Sequence, residues 1–278
     1  MPSPINPILG HQPRRGTRAH PPLAFILGPC LIESEKMILR HAAKIAAICA
    51  ELGVAWVLKA SYDKANRTSA KSFRGAMEPR EACALLAVLG QEFGVPVTTD
   101  VHSPAEAEMA AEWIDILQIP AFLCRQTDLL EAAAHTGRVV NVKKGQFLAP
   151  WDVQHIAAKL LAAGNDRFFF TERGTTFGYQ NLVADMRSLY WIRELGFRVV
   201  FDATHSVQRP GGGDGQTTGD GILAPVLARA AVAAGVDGVF MEVHENPAKA
   251  FSDGPNQIPL RQLRGVLTRL LKIHEAAA

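Results

Sequence analysis

Two sets of side chains in the 278-residue chain are of types that could do chemistry together. Lys59, Lys64, Arg67, Arg125, Lys143 and Arg173 form a cationic set larger than one small carboxylate needs, and the planar fork of arginine suits phosphate or carboxylate oxygens. They point to a polyanionic ligand, either one substrate with two anionic groups or two phosphorylated substrates. Cys30, His205, Glu242 and Asp253 supply a thiol, an imidazole and two carboxylates, which suit a borderline divalent ion such as Fe(II), Zn(II) or Mn(II). No base stands recognisably beside Cys30, so the residue does not read as a covalent nucleophile.

The elements that must position these groups follow from hydrophobic periodicity. From residue 23 onward, short β-rich apolar runs alternate with Ala/Leu-rich stretches of helical period, as βα units of a parallel sheet do. Eight strand candidates start at Leu23, Ala55, Val95, Asp115, Val139, Phe168, Phe197 and Gly238. Helices are expected to begin near Glu35, Glu78, Pro104, Asp128, Asp152, Leu182, Ile222 and Leu260. Ser103 before Pro104, with Glu106 behind it, reads as a helix cap, and so does Asp152. This repeat predicts a single-domain (β/α)8 TIM barrel over residues 23–278, and the first βα turn, GPCLIES, lacks the glycine fingerprint of an open dinucleotide-binding sheet.

Barrel catalysis draws on the carboxyl ends of strands, so those ends are a test. They read Cys30, Lys59 with Ser61, Asp100, Gln118, Lys143, Arg173, His205, and Glu242 with His244. Strand interiors are otherwise apolar, and burying so many polar groups at one mouth argues for a charged ligand. Strands 7, 8 and 1 are neighbours in a closed barrel, which draws His205, Glu242 and Cys30 together, with Asp253 in the loop after strand 8. The glycine cluster from Gly211 to Gly215 lacks a P-loop ending and reads as a flexible active-site loop, while His102, His135, His155 and His274 read as ordinary loop or helix-surface histidines.

Composition removes several classes. Lys plus Arg number 29 and Asp plus Glu 27, so there is no broad positive field for nucleic acid. No apolar run approaches the roughly 18 residues that would span a membrane. The four cysteines form no CxxC pair, and a reducing, cytoplasmic setting is expected. Residues 1–22, rich in proline and carrying Arg14, Arg15 and Arg18 without a signal-peptide core, are expected to be a poorly ordered extension.

The motifs GPCLIES, KASYDKANRTS, SFRG, TTDVH, QIPAFLCRQTDLL, NVKKGQF, ERGTTFGYQNLV, FDATHSVQ and MEVHENP, in this order across all eight units, closely resemble the 3-deoxy-D-manno-octulosonate 8-phosphate synthase family. The resemblance covers about Leu23 to Ile273. It implies a homotetrameric barrel that condenses phosphoenolpyruvate with D-arabinose 5-phosphate and water, releasing phosphate, for lipopolysaccharide synthesis. Ser61 and Lys64 are then expected to hold the phosphoenolpyruvate carboxylate, and Lys143 and Arg173 its phosphate. Asn66, Arg67 and Thr68 are expected to face the pentose phosphate, with Arg125 reaching it from a neighbouring subunit. Cys30 in the first turn resembles the metal-dependent branch, with Cys30, His205, Glu242 and Asp253 as ligands. His205 and Asp253 are further expected to manage protons, and Lys59 and Asp100 to position the pentose. Against the family pattern stands TTGDGIL from Thr217, from which no residue role is carried over. The alternatives are a 3-deoxy-arabino-heptulosonate 7-phosphate synthase using erythrose 4-phosphate, which typically reads KPRTS where this chain has KANRTS, and a metal-dependent sugar-phosphate aldolase.

Overall fold

β-Branched and aromatic residues crowd eight short segments that are buried on both faces, which is how strands of a parallel sheet under helices must read. They form β1 (Ala24–Gly28), β2 (Trp56–Lys59), β3 (Val97–Asp100), β4 (Ile116–Ile119), β5 (Val139–Lys143), β6 (Phe168–Glu172), β7 (Val199–Asp202) and β8 (Gly238–His244). The computed structural model describes residues 7–10, 21–65, 73–213 and 216–277. Each strand pairs in parallel with the next, and β1 pairs with both β2 and β8, so the sheet closes into the expected (β/α)8 barrel.

Helices α1 (Glu35–Leu52), α2 (Pro79–Phe93), α3 (Pro104–Ala111), α4 (Thr127–His135), α5 (Val153–Ala162), α6 (Arg187–Glu194), α7 (Ala224–Ala234) and α8 (Leu260–Ala276) follow the strands in order. Alternation along each strand sorts its side chains. Ala24, Ile26, Val57, Ile116, Val139, Phe169, Val200 and Phe240 fill the barrel with one apolar cluster. The intervening positions, such as Phe25, Leu27 and Leu58, join the larger core shared with the helices. At Gly28 close approach requires glycine: a Cβ there would lie 1.8 Å from the Lys59 carbonyl oxygen, so β1 and β2 can meet below the site only without a side chain at this position.

Several expectations need correction. The helix expected near Leu182 begins at Arg187. Leu182–Val183 instead pairs antiparallel with Thr175–Thr176, because Gly178 (φ 75°) and Gln180 (φ 52°) reverse the chain between them. Gly211, Gly212 and Gly213 of the glycine cluster belong to a second hairpin, Gln208–Gly213 against Gln216–Gly219, and Gly215 lies outside the described residues. Ser103 caps α3 as expected, accepting the Glu106 N–H, but Asp152 reaches back to the Ala149 N–H and closes a 3-10 turn that precedes α5. Of residues 1–22 only 7–10, 21 and 22 are described, so the expected extension otherwise lies outside the described residues; Pro7–Leu9 forms a 3-10 turn whose Ile8 is fully buried in the interior cluster, plugging the barrel floor, and Arg198 donates to the Gly10 carbonyl at 2.5 Å. No helix among the described residues is long and apolar enough to cross a membrane.

Candidate active site

Apolar alternation ends at the carboxyl face. The inward positions after the apolar layer are Lys59, Asp100, Gln118, Lys143, Asp202 and Glu242, all buried. Above them opens a cavity of 980 Å³ whose lining includes Lys59, Lys64, Asp100, Lys143, Arg173, His205 and Asp253. Cys30, Ser61 and Glu242 lie beneath this lining and are almost wholly buried. Of the expected site residues, Asn66, Arg67 and Thr68 lie outside the described residues. Arg125 is exposed just before α4 and does not line this chain's cavity.

One flank carries the candidate metal donors. Ligand atoms of Cys30, Glu242 and Asp253 all lie within 4.8 Å of one another. Asp253 adopts a left-handed backbone (φ 50°), a conformation that aspartate tolerates better than most residues, and its Oδ2 accepts from Cys30 Sγ at 3.3 Å. Ser252 Oγ is 2.7 Å from the same sulfur. The fourth expected ligand, His205, stands outside this tight group, yet its Nε2 is 3.6 Å from Glu242 Oε1. Its Nδ1 is 2.7 Å from Asp202 Oδ2, a pairing that places the proton on Nδ1 and leaves Nε2 as a lone-pair donor, the arrangement that ligating histidines commonly show. Burial first, then the Glu242 carboxylate, pushes the Cys30 thiol far above its ordinary range. A thiol pressed against two carboxylates is a donor set suited to a divalent cation, which would favour the thiolate.

Cations face the same carboxylates. Lys59 Nζ donates to Glu242 Oε1 at 2.8 Å and to the Cys30 carbonyl at 3.0 Å. Lys64 Nζ lies 3.8 Å from Glu242 and 3.6 Å from Asp100. Burial alone would lower the Lys64 ammonium, but Cys30, Glu242 and Asp100 around it raise it above its usual range. Asp100 is held well below the usual carboxylate range: burial opposes this, and Lys64 and Lys59 overcome it. Ser61 Oγ also donates to Asp100 at 2.5 Å, and Gln118 Nε2 bonds its other oxygen.

Two further buried cations stand at the same mouth. Lys143 pairs with Asp202, and its ammonium sits 3.5 Å from the Phe240 ring centroid. Arg173 donates from Nη2 to the His205 carbonyl at 3.1 Å and to Gln208, while among the described residues its buried Nε has no hydrogen-bond partner. Burial lowers the Lys143 ammonium to about 8 although Asp202 opposes the shift, because Arg173 and Lys59 add repulsion. Two partly unspent buried cations are complementary to a phosphate.

Asp202 escaped the sequence reading. It holds Lys143 and His205 with one oxygen and accepts from Thr204 Oγ1 at 3.1 Å and the His205 N–H at 2.9 Å with the other. Its signal was the inward register two residues after Val200. His102 was also missed: it lines the cavity, and its Nδ1 is 2.8 Å from Glu106 Oε2.

With this geometry in view, comparisons place the chain among known proteins. A family model described as the DAHP synthetase I family matches residues 16–277. The 2-dehydro-3-deoxyphosphooctonate aldolase of Desulfatibacillum aliphaticivorans is 54% identical over 258 residues, 92% of this chain and 94% of that protein. The protein of the same name from Geobacter metallireducens is 54% identical over 265 residues, 95% and 96% of the two chains. A Synechococcus relative, also of that name, is 55% identical over 258 residues, 92% and 90%. Since the match spans nearly all of the barrel and the relatives are aligned almost end to end, the chain belongs to the DAHP synthetase I family.

Proposed function

We propose that this chain is a 3-deoxy-D-manno-octulosonate 8-phosphate synthase, joining phosphoenolpyruvate to D-arabinose 5-phosphate with water and releasing phosphate. The observation that carries the reading is one cavity mouth where buried cations at the ends of β5 and β6 stand with a thiol and carboxylate group from the ends of β1 and β8 and the loop after β8, and with the imidazole that follows β7 3.6 Å from Glu242. Relatives named 2-dehydro-3-deoxyphosphooctonate aldolase, more than half identical over most of their length, support the choice of phosphosugar.

In this reading Lys143 and Arg173 hold the phosphoenolpyruvate phosphate, and Ser61 and Lys64 hold its carboxylate. Fixing both ends aims the enol carbon at the aldehyde and lowers the entropic barrier to their meeting. The buried ammonium and guanidinium also stabilise charge as phosphate leaves. Lys59 and Asp100 position the pentose, and Asn66, Arg67 and Thr68 take its phosphate end. Arg125, exposed on its own chain, serves the cavity of a neighbouring subunit in a homotetramer. Cys30, His205, Glu242 and Asp253 would hold a divalent ion, Fe(II), Zn(II) or Mn(II). Such an ion supplies Lewis acidity toward a carbonyl oxygen or a water. His205 and Asp253 also take the proton roles: Asp202 fixes the proton on His205 Nδ1, so Nε2 either holds the ion or takes a proton at the cavity, and with the ion bound the role falls to the Asp253 carboxylate oxygen that does not hold it. The product and the absence of membrane-crossing helices among the described residues are compatible with work in the cytoplasm.

The test is phosphate release from phosphoenolpyruvate with arabinose 5-phosphate or erythrose 4-phosphate, before and after chelation with Mn(II) or Fe(II) add-back. Pentose-dependent release that chelation abolishes is expected. Release with only the four-carbon sugar would transfer the chain to heptulosonate synthesis.

A further inference from the structure

The first βα turn carries more than Cys30. Leu31 forms a parallel β-bridge with Ser61, and the Ile32 N–H donates to the Ser61 carbonyl at 3.0 Å, so the turn is stitched to the chain after β2 before Ser34 caps α1. Glu33 stands between these two anchors, three residues after Cys30, and its Oε1 accepts the Phe251 backbone N–H at 2.9 Å. Phe251 is followed by Ser252, whose Oγ is 2.7 Å from Cys30 Sγ, and by Asp253, whose Oδ2 accepts from the same sulfur at 3.3 Å. One turn therefore supplies a candidate ligand and the acceptor that holds the segment bearing another.

The loop after β8 depends on that hold. Its ends are secured separately: the N–H groups of Glu245 and Asn246 donate to His41 Nε2 and His244 Nδ1, each at 3.0 Å, and Ile258–Pro259 pairs in parallel with Val243 and His244. Burial lowers the His41 imidazole below its ordinary range, although the Met37 carbonyl opposes the shift, so Nε2 keeps its lone pair for Glu245. Because His244 Nδ1 accepts, the His244 proton sits on Nε2, which is 3.7 Å from Glu33 Oε1 and has no hydrogen-bond partner among the described residues. Between the two ends Asp253 takes its left-handed backbone (φ 50°), which a residue other than glycine keeps only where its surroundings hold it. Gln257 Nε2 donates to the Ser252 carbonyl at 2.8 Å, but that bond lies within the loop, whereas the Phe251 bond to Glu33 ties the loop to the turn that carries Cys30. We infer that Glu33 is a positioning residue for the candidate ion site: by accepting the Phe251 N–H it fixes Asp253 against Cys30, so that a divalent ion meets both donors already in place. This rests on the proposed Cys/His/Glu/Asp donor set and adds a residue which that set leaves out.

The experiment is equilibrium binding of Mn(II) alone to the metal-free protein, read from the electron paramagnetic resonance signal of free Mn(II), for wild type, Glu33→Ala, Glu33→Gln and Glu33→Asp. Glutamine keeps a carbonyl oxygen at the reach of Oε1 without the charge, aspartate keeps the charge but falls one carbon short, and alanine has neither. The expected result is a Kd for Mn(II) raised about tenfold or more in Glu33→Ala, with Glu33→Gln within about threefold of wild type and Glu33→Asp weaker than Glu33→Gln. Thermal unfolding of the metal-free proteins should coincide, while the rise in Tm on adding Mn(II) should shrink in Glu33→Ala, which a general loss of packing would not produce. If the alanine variant does not fold, the contrast between glutamine and aspartate decides. An alanine variant that binds Mn(II) as wild type does, or a glutamine variant as weak as alanine or aspartate, would overturn the inference and leave the donor set standing. A wild-type protein that binds no Mn(II) overturns both.

Discussion

Deprotonation of Lys143 should limit capture of phosphoenolpyruvate on the alkaline side. Inside the barrel mouth its ammonium loses water, and the Asp202 partner is shared with His205, so burial and the nearby Arg173 and Lys59 bring it from 10.5 to about 8. That shift corresponds to roughly 3 kcal/mol against the charged form in the empty site. At pH 7 about nine-tenths of the enzyme carries the ammonium, and at pH 9 about one-tenth does. Because kcat/KM reports the free enzyme, its value for phosphoenolpyruvate should fall about tenfold between those pH values, measured as phosphate release at saturating pentose. Lys143→Arg keeps a cation throughout and should lose this limb, whatever its absolute rate. A wild-type profile flat to about pH 9.5, or an arginine variant with the same limb, would refute the assignment of the titration to Lys143.

Three further outcomes are expected. Cys30→Ala should bind divalent metal at least about tenfold more weakly, read as metal retained after dialysis; full retention would remove the thiol from the ligand set. Ile8→Ala should cost ~2–4 kcal/mol in a denaturant melt while kcat stays unchanged, since the side chain fills the floor far from the mouth, and an unaltered melt would mean that the turn does not plug the barrel in solution. Gly28→Ala puts a methyl group 1.8 Å from the Lys59 carbonyl oxygen and should destabilise the fold by about 3 kcal/mol or more, with lower activity because Lys59 moves; a stable, active variant would contradict the close approach of β1 and β2.

Much of the barrel could be read directly, because its strands are buried on both faces and punctuated by caps with local causes. Ser103–Pro104 announces α3 from its own chemistry, and the Lys59, Asp100, Lys143 and Glu242 positions follow from counting along strands. Local reading fails where a partner lies far away in sequence or where two turns have similar composition. The stretch from Leu182 has helical composition, yet pairing with Thr175–Thr176 defers α6 to Arg187. Ile8 lies between Pro7 and Leu9 in a proline-rich stretch, and nothing nearby reveals that a barrel floor will bury it.

The same division runs through the site. Residue types and their intervals were enough to predict the barrel and to single out a cationic set and a candidate Cys/His/Glu/Asp donor set for its mouth, because strand alternation is a property of the chain itself. Folding alone brought Cys30 to Asp253 across 223 positions, shared Asp202 between Lys143 and His205, and stood His102 on Glu106. Closure of β1 onto β8 creates those distances, and the low dielectric of the closed mouth then decides which groups hold their protons.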